Sequence, residues 1–119
     1  MQGVRFQNVI HVPGALAANL NIRWTVPFDC ALEHISAVAS NDSDATLSLG
    51  ISSDSDSILT ATTIGDSGAP ATFDRDNWAS TNPGGRLLAG ETLVITVDYD
   101  GVGGTAAQNL TLSLTFSEG

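Results

Sequence analysis

Along much of the chain, apolar and polar residues alternate one for one. Leu20, Ile22, Trp24 and Val26 are separated by Asn21, Arg23 and Thr25. Successive side chains of a strand point to opposite faces, so this run offers one face to a core and the other to water. Three more runs read the same way. Ala45, Leu47, Leu49 and Ile51 alternate with Thr46, Ser48 and Gly50. Leu93, Ile95, Val97 and Tyr99 alternate with Val94, Thr96 and Asp98, and Leu110, Leu112, Leu114 and Phe116 with Thr111, Ser113 and Thr115. Weaker patterns predict strands over residues 4–12 and 32–40, and a short one over 71–74.

Turn residues punctuate these runs at short intervals. Pro13-Gly14 closes the first strand and Pro27 the second, because proline cannot donate to a central ladder. Asn41-Asp42-Ser43-Asp44 and Asn82-Pro83-Gly84-Gly85 make tight connections. Asp100-Gly101-Val102-Gly103-Gly104 joins the last two strong strands, which are expected to pair as an antiparallel hairpin. The single helix candidate is short, over 57–64, with Asp56 or Ser57 able to cap it. About seven or eight short strands, each with one apolar face, predict an all-β fold, an antiparallel sandwich or a closed barrel, and the need to bury those faces against each other points to an antiparallel two-sheet sandwich. No break in composition divides the chain, so residues 1–119 are expected to form one domain.

Charge narrows the picture. The 119 residues hold 13 acids against 4 bases, a net charge of -9, and every base is arginine. With no basic patch to neutralise phosphates, nucleic acid and anionic membranes are not expected as partners. A hydrophobic content of 42% sets the chain apart from acidic disordered tails. No apolar run approaches the length of a membrane span. Cys30 is the one cysteine, so no intrachain disulfide forms. The first residues lack the basic and apolar regions of a secretory leader. Folding in a reducing cytoplasm is therefore expected, and glycosylation at the Asn41 and Asn109 sequons is not.

The chemical motifs are sparse. Gly101-Val102-Gly103-Gly104-Thr105-Ala106 fits G-x-G-x-x-A, but a strand pattern follows where dinucleotide binding needs a helix N-terminus. His11 and His34 lie inside predicted strands. Cys30 and His34 share a strand face about 13 Å apart, too far to form a dyad. Four Asp-x-Asp pairs supply hard oxygen donors, and Asp54, Asp56, Asp98 and Asp100 are the calcium candidates. None of the pairs continues into a calcium-binding loop with a downstream glutamate, so a solvated acidic surface is the preferred reading, with no metal and no cofactor. No spaced catalytic signature is present, and no enzymatic activity is expected.

The order of these segments carries a resemblance. A short N-terminal strand precedes Pro13-Gly14 and the strand ending Trp24-Thr25-Val26-Pro27. The 32–40 strand and Asn41-Asp42-Ser43-Asp44-Ala45-Thr46-Leu47 follow, and then Ala89-Gly90-Glu91-Thr92-Leu93 through Tyr99-Asp100-Gly101. The chain resembles the small jelly-roll decoration, or cement, proteins that coat the heads of tailed bacteriophages. The resemblance spans most of the chain and is one of architecture rather than of a catalytic motif. It implies that the two-sheet sandwich is of jelly-roll type and that the protein is structural and made in the bacterial host cytoplasm. Such a protein binds the exterior of the capsid as a homodimer or homotrimer and staples neighbouring major capsid subunits. A charge far from zero suits a protein displayed in many copies.

The expected contact residues are Val4, Arg5 and Phe6 in the N-terminal segment, and Arg75, Trp78, Arg86 and Leu87 beyond the middle of the chain. Tryptophan and arginine are enriched among interface anchors. The alternative is a carbohydrate- or receptor-binding sandwich module of a virion fibre or surface. It needs exposed aromatic rings, and the chain has only Phe6, Trp24, Phe28, Phe73, Trp78, Tyr99 and Phe116. Trp24, Tyr99 and Phe116 stand on apolar faces where burial is expected.

Overall fold

The structure, a computed structural model, describes residues 5–79 and 85–118, with Arg75 described by its backbone. The alternating runs form strands β1 (Arg5–Ala15), β2 (Leu20–Thr25), β3 (Cys30–Val38), β4 (Thr46–Ile51) and β5 (Asp54–Thr63). β6 (Ala71–Asp74), β7 (Arg86–Leu87), β8 (Thr92–Asp98) and β9 (Gln108–Glu118) follow, with one 3-10 turn at Arg75–Asn77. One sheet runs β1-β9-β3-β6, with β7 also paired to β3, and the other runs β2-β8-β4-β5.

The pairings β1·β9, β2·β8, β3·β6 and β4·β5 are all antiparallel. They describe one long ribbon folded at the β4–β5 turn. Contacts β3·β9 and β4·β8 roll that ribbon around a common core. This is jelly-roll topology, as the resemblance implies, in the two-sheet sandwich that the alternation predicts. The inward residues of both sheets fill the space between them: Leu32, Ile35, Leu47, Leu49, Leu93, Leu112, Leu114 and Phe116 are all buried.

Two expectations are corrected. Residues 57–64 lie mostly in strand β5 rather than in a helix. Ile58, Thr60, Thr62 and Thr63 are β-branched and poor helix formers, and pairing to β4 settles their state. Register shifts between Leu47 and Leu49 and between Leu49 and Ile51 break the alternation here, which hides the strand from a period-2 reading. At Gly50 the backbone of Asp54 to Asp56 crosses so closely that a Cβ would sit 2.2 Å from the Asp54 carbonyl oxygen.

The second correction concerns β8 and β9, which do not form a hairpin. They belong to different sheets, β8 flanked by β2 and β4 and β9 by β1 and β3. Both edges of each strand are already taken, so the connection must cross the sandwich. The glycine-rich segment there is lashed to the β3–β4 loop. Asn41 donates from Nδ2 to the Ala106 carbonyl at 2.8 Å and accepts from the Gln108 amide at 3.0 Å. Asp44 accepts from the Thr105 amide at 2.8 Å, and the Ser43 hydroxyl donates to the Thr105 carbonyl at 2.8 Å.

Candidate functional site

The end of the sandwich away from that lashed loop gathers four aromatic rings. Phe6 on β1 lies opposite Phe116 on β9, with centroids 5.1 Å apart and planes at 14°. Trp24 meets Phe6 edge-on at 6.3 Å, and Phe28 does so at 5.5 Å. Alternation sends Phe6, Trp24 and Phe116 inward from three strands, and Pro27 turns the chain so that Phe28 closes the end. Such edge and stacked pairs add roughly 0.5–1.5 kcal/mol each beyond the area they bury.

Between β1 and β2 the two sheets part, leaving an open seam of about 300 Å³. Its walls include Asn8 and Ile10 of β1 and Ile22, Arg23 and Trp24 of β2. Ile10, Ile22 and Trp24 are half-buried, and Val9 on the outer side of β1 is 60% exposed.

The expected contact residues fall into separate groups. Arg5 is exposed at the start of β1, and Phe6 packs into the aromatic cluster. Arg5 pairs with Ser117, Ser117 with Ala31, and Ala31 with Arg86. Arg5 and Arg86 therefore lie in one row across the outer face of the sheet. Arg86 reaches Asp29 at 3.9 Å.

Trp78 and Leu87 are corrected: both are core residues. The Trp78 indole N–H donates to the Leu32 carbonyl at 3.0 Å, which satisfies its one polar atom inside the fold. Leu87 points inward from β7 beside Cys30. Val4 and the Arg75 side chain lie outside the described residues.

The candidate chemical groups serve local structure. Asp98 accepts from the Asp100 amide at 3.1 Å, fixing the turn after β8. Asp54 and Asp56 share an exposed edge, and the Asp56 carboxyl is raised, first by a hydrogen bond to Asp54 and then by that neighbour's charge. Among the described residues, no group of three or more His, Cys, Asp or Glu is arranged to hold a metal ion. Cys30 is buried, and burial pushes its thiol up, against the pull of Arg86 and with a small push from Asp29. His11 Nδ1 lies 2.8 Å from the Thr111 hydroxyl. The side chains of Asn41 and Asn109 are engaged within the fold, Asn109 accepting from the Gly14 amide at 2.8 Å. Among the aromatic residues Phe28 is the exposed one, at 38%, and the others are buried or half-buried, so few stacking platforms face solvent. Among the described residues, no helix is long and apolar enough to cross a membrane.

One charge feature went unread in the pattern of strands. No Asp or Glu precedes Asp29, so β1 and β2 carry none of the 13 acids. Arg5, His11 and Arg23 are the titratable groups on these two strands. The signal is visible in sequence, but it becomes a surface only when folding sets β1 beside β2.

The strand order defines a jelly-roll sandwich with an open, non-acidic seam between β1 and β2. No protein-family model matches the chain, and no curated protein matches it in sequence. Among solved structures it is similar in fold to a chain described as "Cyanophage Pam1 capsid asymmetric unit". The TM-score is 0.53 at 14% identity, over 99% of this chain and 87% of that one.

Proposed function

We propose that this protein is a structural component of a bacteriophage virion that binds the outside of the capsid and staples neighbouring major capsid subunits. The observation that supports this reading most is the likeness to the cyanophage capsid chain, which extends over 99% of this chain and 87% of the other. The two are thus alike over nearly a whole chain rather than in a shared fragment. A staple must resist internal pressure, and its requirements are a rigid body, self-association and a face for its partner. The interlocked core and the lashed loops of the jelly roll meet the first requirement.

In this reading the partners are the major capsid protein and further copies of the chain, as a homodimer or homotrimer. The protein is made in the host cytoplasm and carries out no catalysis. The net charge of -9 keeps a densely displayed exterior soluble. Arg5 and Arg86, in one row on the outer face of the sheet, are the cations placed to meet an acidic capsid surface.

Purified heads lacking the protein provide the test. Co-sedimentation at a fixed ratio to the major capsid protein, with raised resistance of the heads to heat, is the expected result. Absence of saturable binding to intact heads overturns the reading.

A further inference from the structure

Among the described residues the sandwich has four sheet edges, one of them shared by β6 and the two-residue β7, and they are not protected alike. β5 carries Asp54 and Asp56 and two register shifts. β6 spans only 4 residues and ends in Asp74. β2 is 6 residues long and places Arg23 on its outer side. β1 is the exception. From Phe6 to Val12 its free edge holds no charged residue other than His11, no proline and no bulge. Charges, bulges and short length are the devices by which edge strands avoid pairing, and this stretch lacks them.

We infer that the free edge of β1 pairs antiparallel with the same edge of a second copy of this chain, across a two-fold axis at Val9. Three observations select a second copy as the occupant. First, the edge is self-complementary. Centring the pair on Val9 sets Arg5 against Pro13, Gln7 against His11 and Asn8 against Ile10, so no like charges oppose one another. An antiparallel strand pair is isologous, as a two-fold dimer requires. Second, each copy carries -9, yet no acid precedes Asp29. Joining through β1 keeps the carboxylates of β5, β6 and the loops away from the contact, where screening weakens their repulsion. Third, the apolar seam opens beside this edge. Phe6, Ile10 and Val12 lie on the seam side of β1, and those of the partner extend the sheet that roofs it. Val9, 60% exposed, becomes the centre of the contact.

The inference deepens the proposed coat function by naming how copies join, and it is measured on the isolated protein. A monomer that still binds heads would overturn the dimer and leave the coat function standing. A dimer that ignores heads would do the reverse.

Sedimentation velocity across a concentration series is expected to show a monomer–dimer equilibrium. Val9→Glu and Val9→Arg each set like charges face to face on the axis, weakening the dimer by roughly tenfold or more. Mixed one to one, the two variants are expected to recover the dimer, because Glu then faces Arg. Val9→Cys, nearly isosteric, is expected to give a covalent dimer on oxidation, since opposed residues of an antiparallel pair lie about 4.5–5.5 Å apart at Cα. Ser113→Cys, on the outer face of β9 one strand inward, is expected to give none. A wild-type protein that stays monomeric or forms trimers overturns the inference. So does undiminished dimerisation of Val9→Glu, a mixture that stays monomeric, or a Val9→Cys protein that does not cross-link.

Discussion

Trp78 donates its indole N–H to the main-chain carbonyl of Leu32 at 3.0 Å, joining the segment after the 3-10 turn to the first part of the β9-paired strand β3. The Leu32 amide in turn donates to the Gly85 carbonyl at 2.9 Å. One residue of β3 thereby holds the two segments that flank 80–84. Gly85 has φ +61°, and a Cβ there would lie 2.7 Å from the indole nitrogen, so the close approach and the left-handed backbone both call for glycine.

Trp78→Phe keeps most of the apolar surface but leaves the Leu32 carbonyl without this donor. The expected loss is about 1–3 kcal/mol. Trp78→Ala also opens a cavity and is expected to lose about 3–5 kcal/mol. Urea unfolding of both variants checks this. Two variants of equal, wild-type stability would contradict the buried role.

Asn41 holds the β3–β4 loop to the start of β9 through both ends of its amide. Asn41→Ala removes both bonds and is expected to lower stability by roughly 1–3 kcal/mol. Asn41→Asp keeps the acceptor for Gln108 and turns the donor facing Ala106 into an acceptor, so it is expected to recover little. Thermal melts of the two variants against wild type decide the matter.

Asp56 titrates above the ordinary aspartate value of 3.8, chiefly because of Asp54. A raised carboxyl binds its proton more tightly in the folded state. Its stabilising contribution is present at low pH and is lost as pH rises through the folded value. Asp56→Asn removes the repulsion and is expected to melt above wild type at pH 7. The gap is expected to close as pH falls and the wild-type Asp56 carboxyl takes up its proton. A gap that is unchanged between pH 7 and pH 3 would show that the pair does not act this way.

Gly50→Ala is expected to be strongly destabilising, by roughly 1–3 kcal/mol or more. Its Cβ meets backbone atoms of Asp54, Ser55 and Asp56 within 2.7 Å, and backbone cannot rotate aside as a side chain does. A melting temperature equal to wild type would show that the crossing is looser than drawn.

Alternation alone located most of the strands and the face each one buries. Leu20 to Val26, 45–51, 93–99 and 110–116 could be read because a strand's period of two is a local property of the backbone. The same property places Phe116 and Leu114 in the core before any contact is known. The 71–74 strand matches β6 residue for residue. The negative charge and the absence of any acid before Asp29 are likewise fixed by composition.

Pairing was decided elsewhere. The loop at 100–104 looks like a hairpin, yet β8 and β9 enter different sheets because each is already flanked on both sides. Ser57 to Thr63 became strand through its ladder with β4. Trp78 and Leu87 look like surface anchors beside arginines, but only the return of the chain to β3 buries them. The seam at β1 and β2 has no sequence signature, since strands separated by a turn at 16–19 could equally have paired with each other. Side-chain direction is set by each residue and its neighbours, whereas strand partnership depends on which distant segments reach an open edge first. The tertiary structure alone therefore shows which strands form the sheet edges among the described residues.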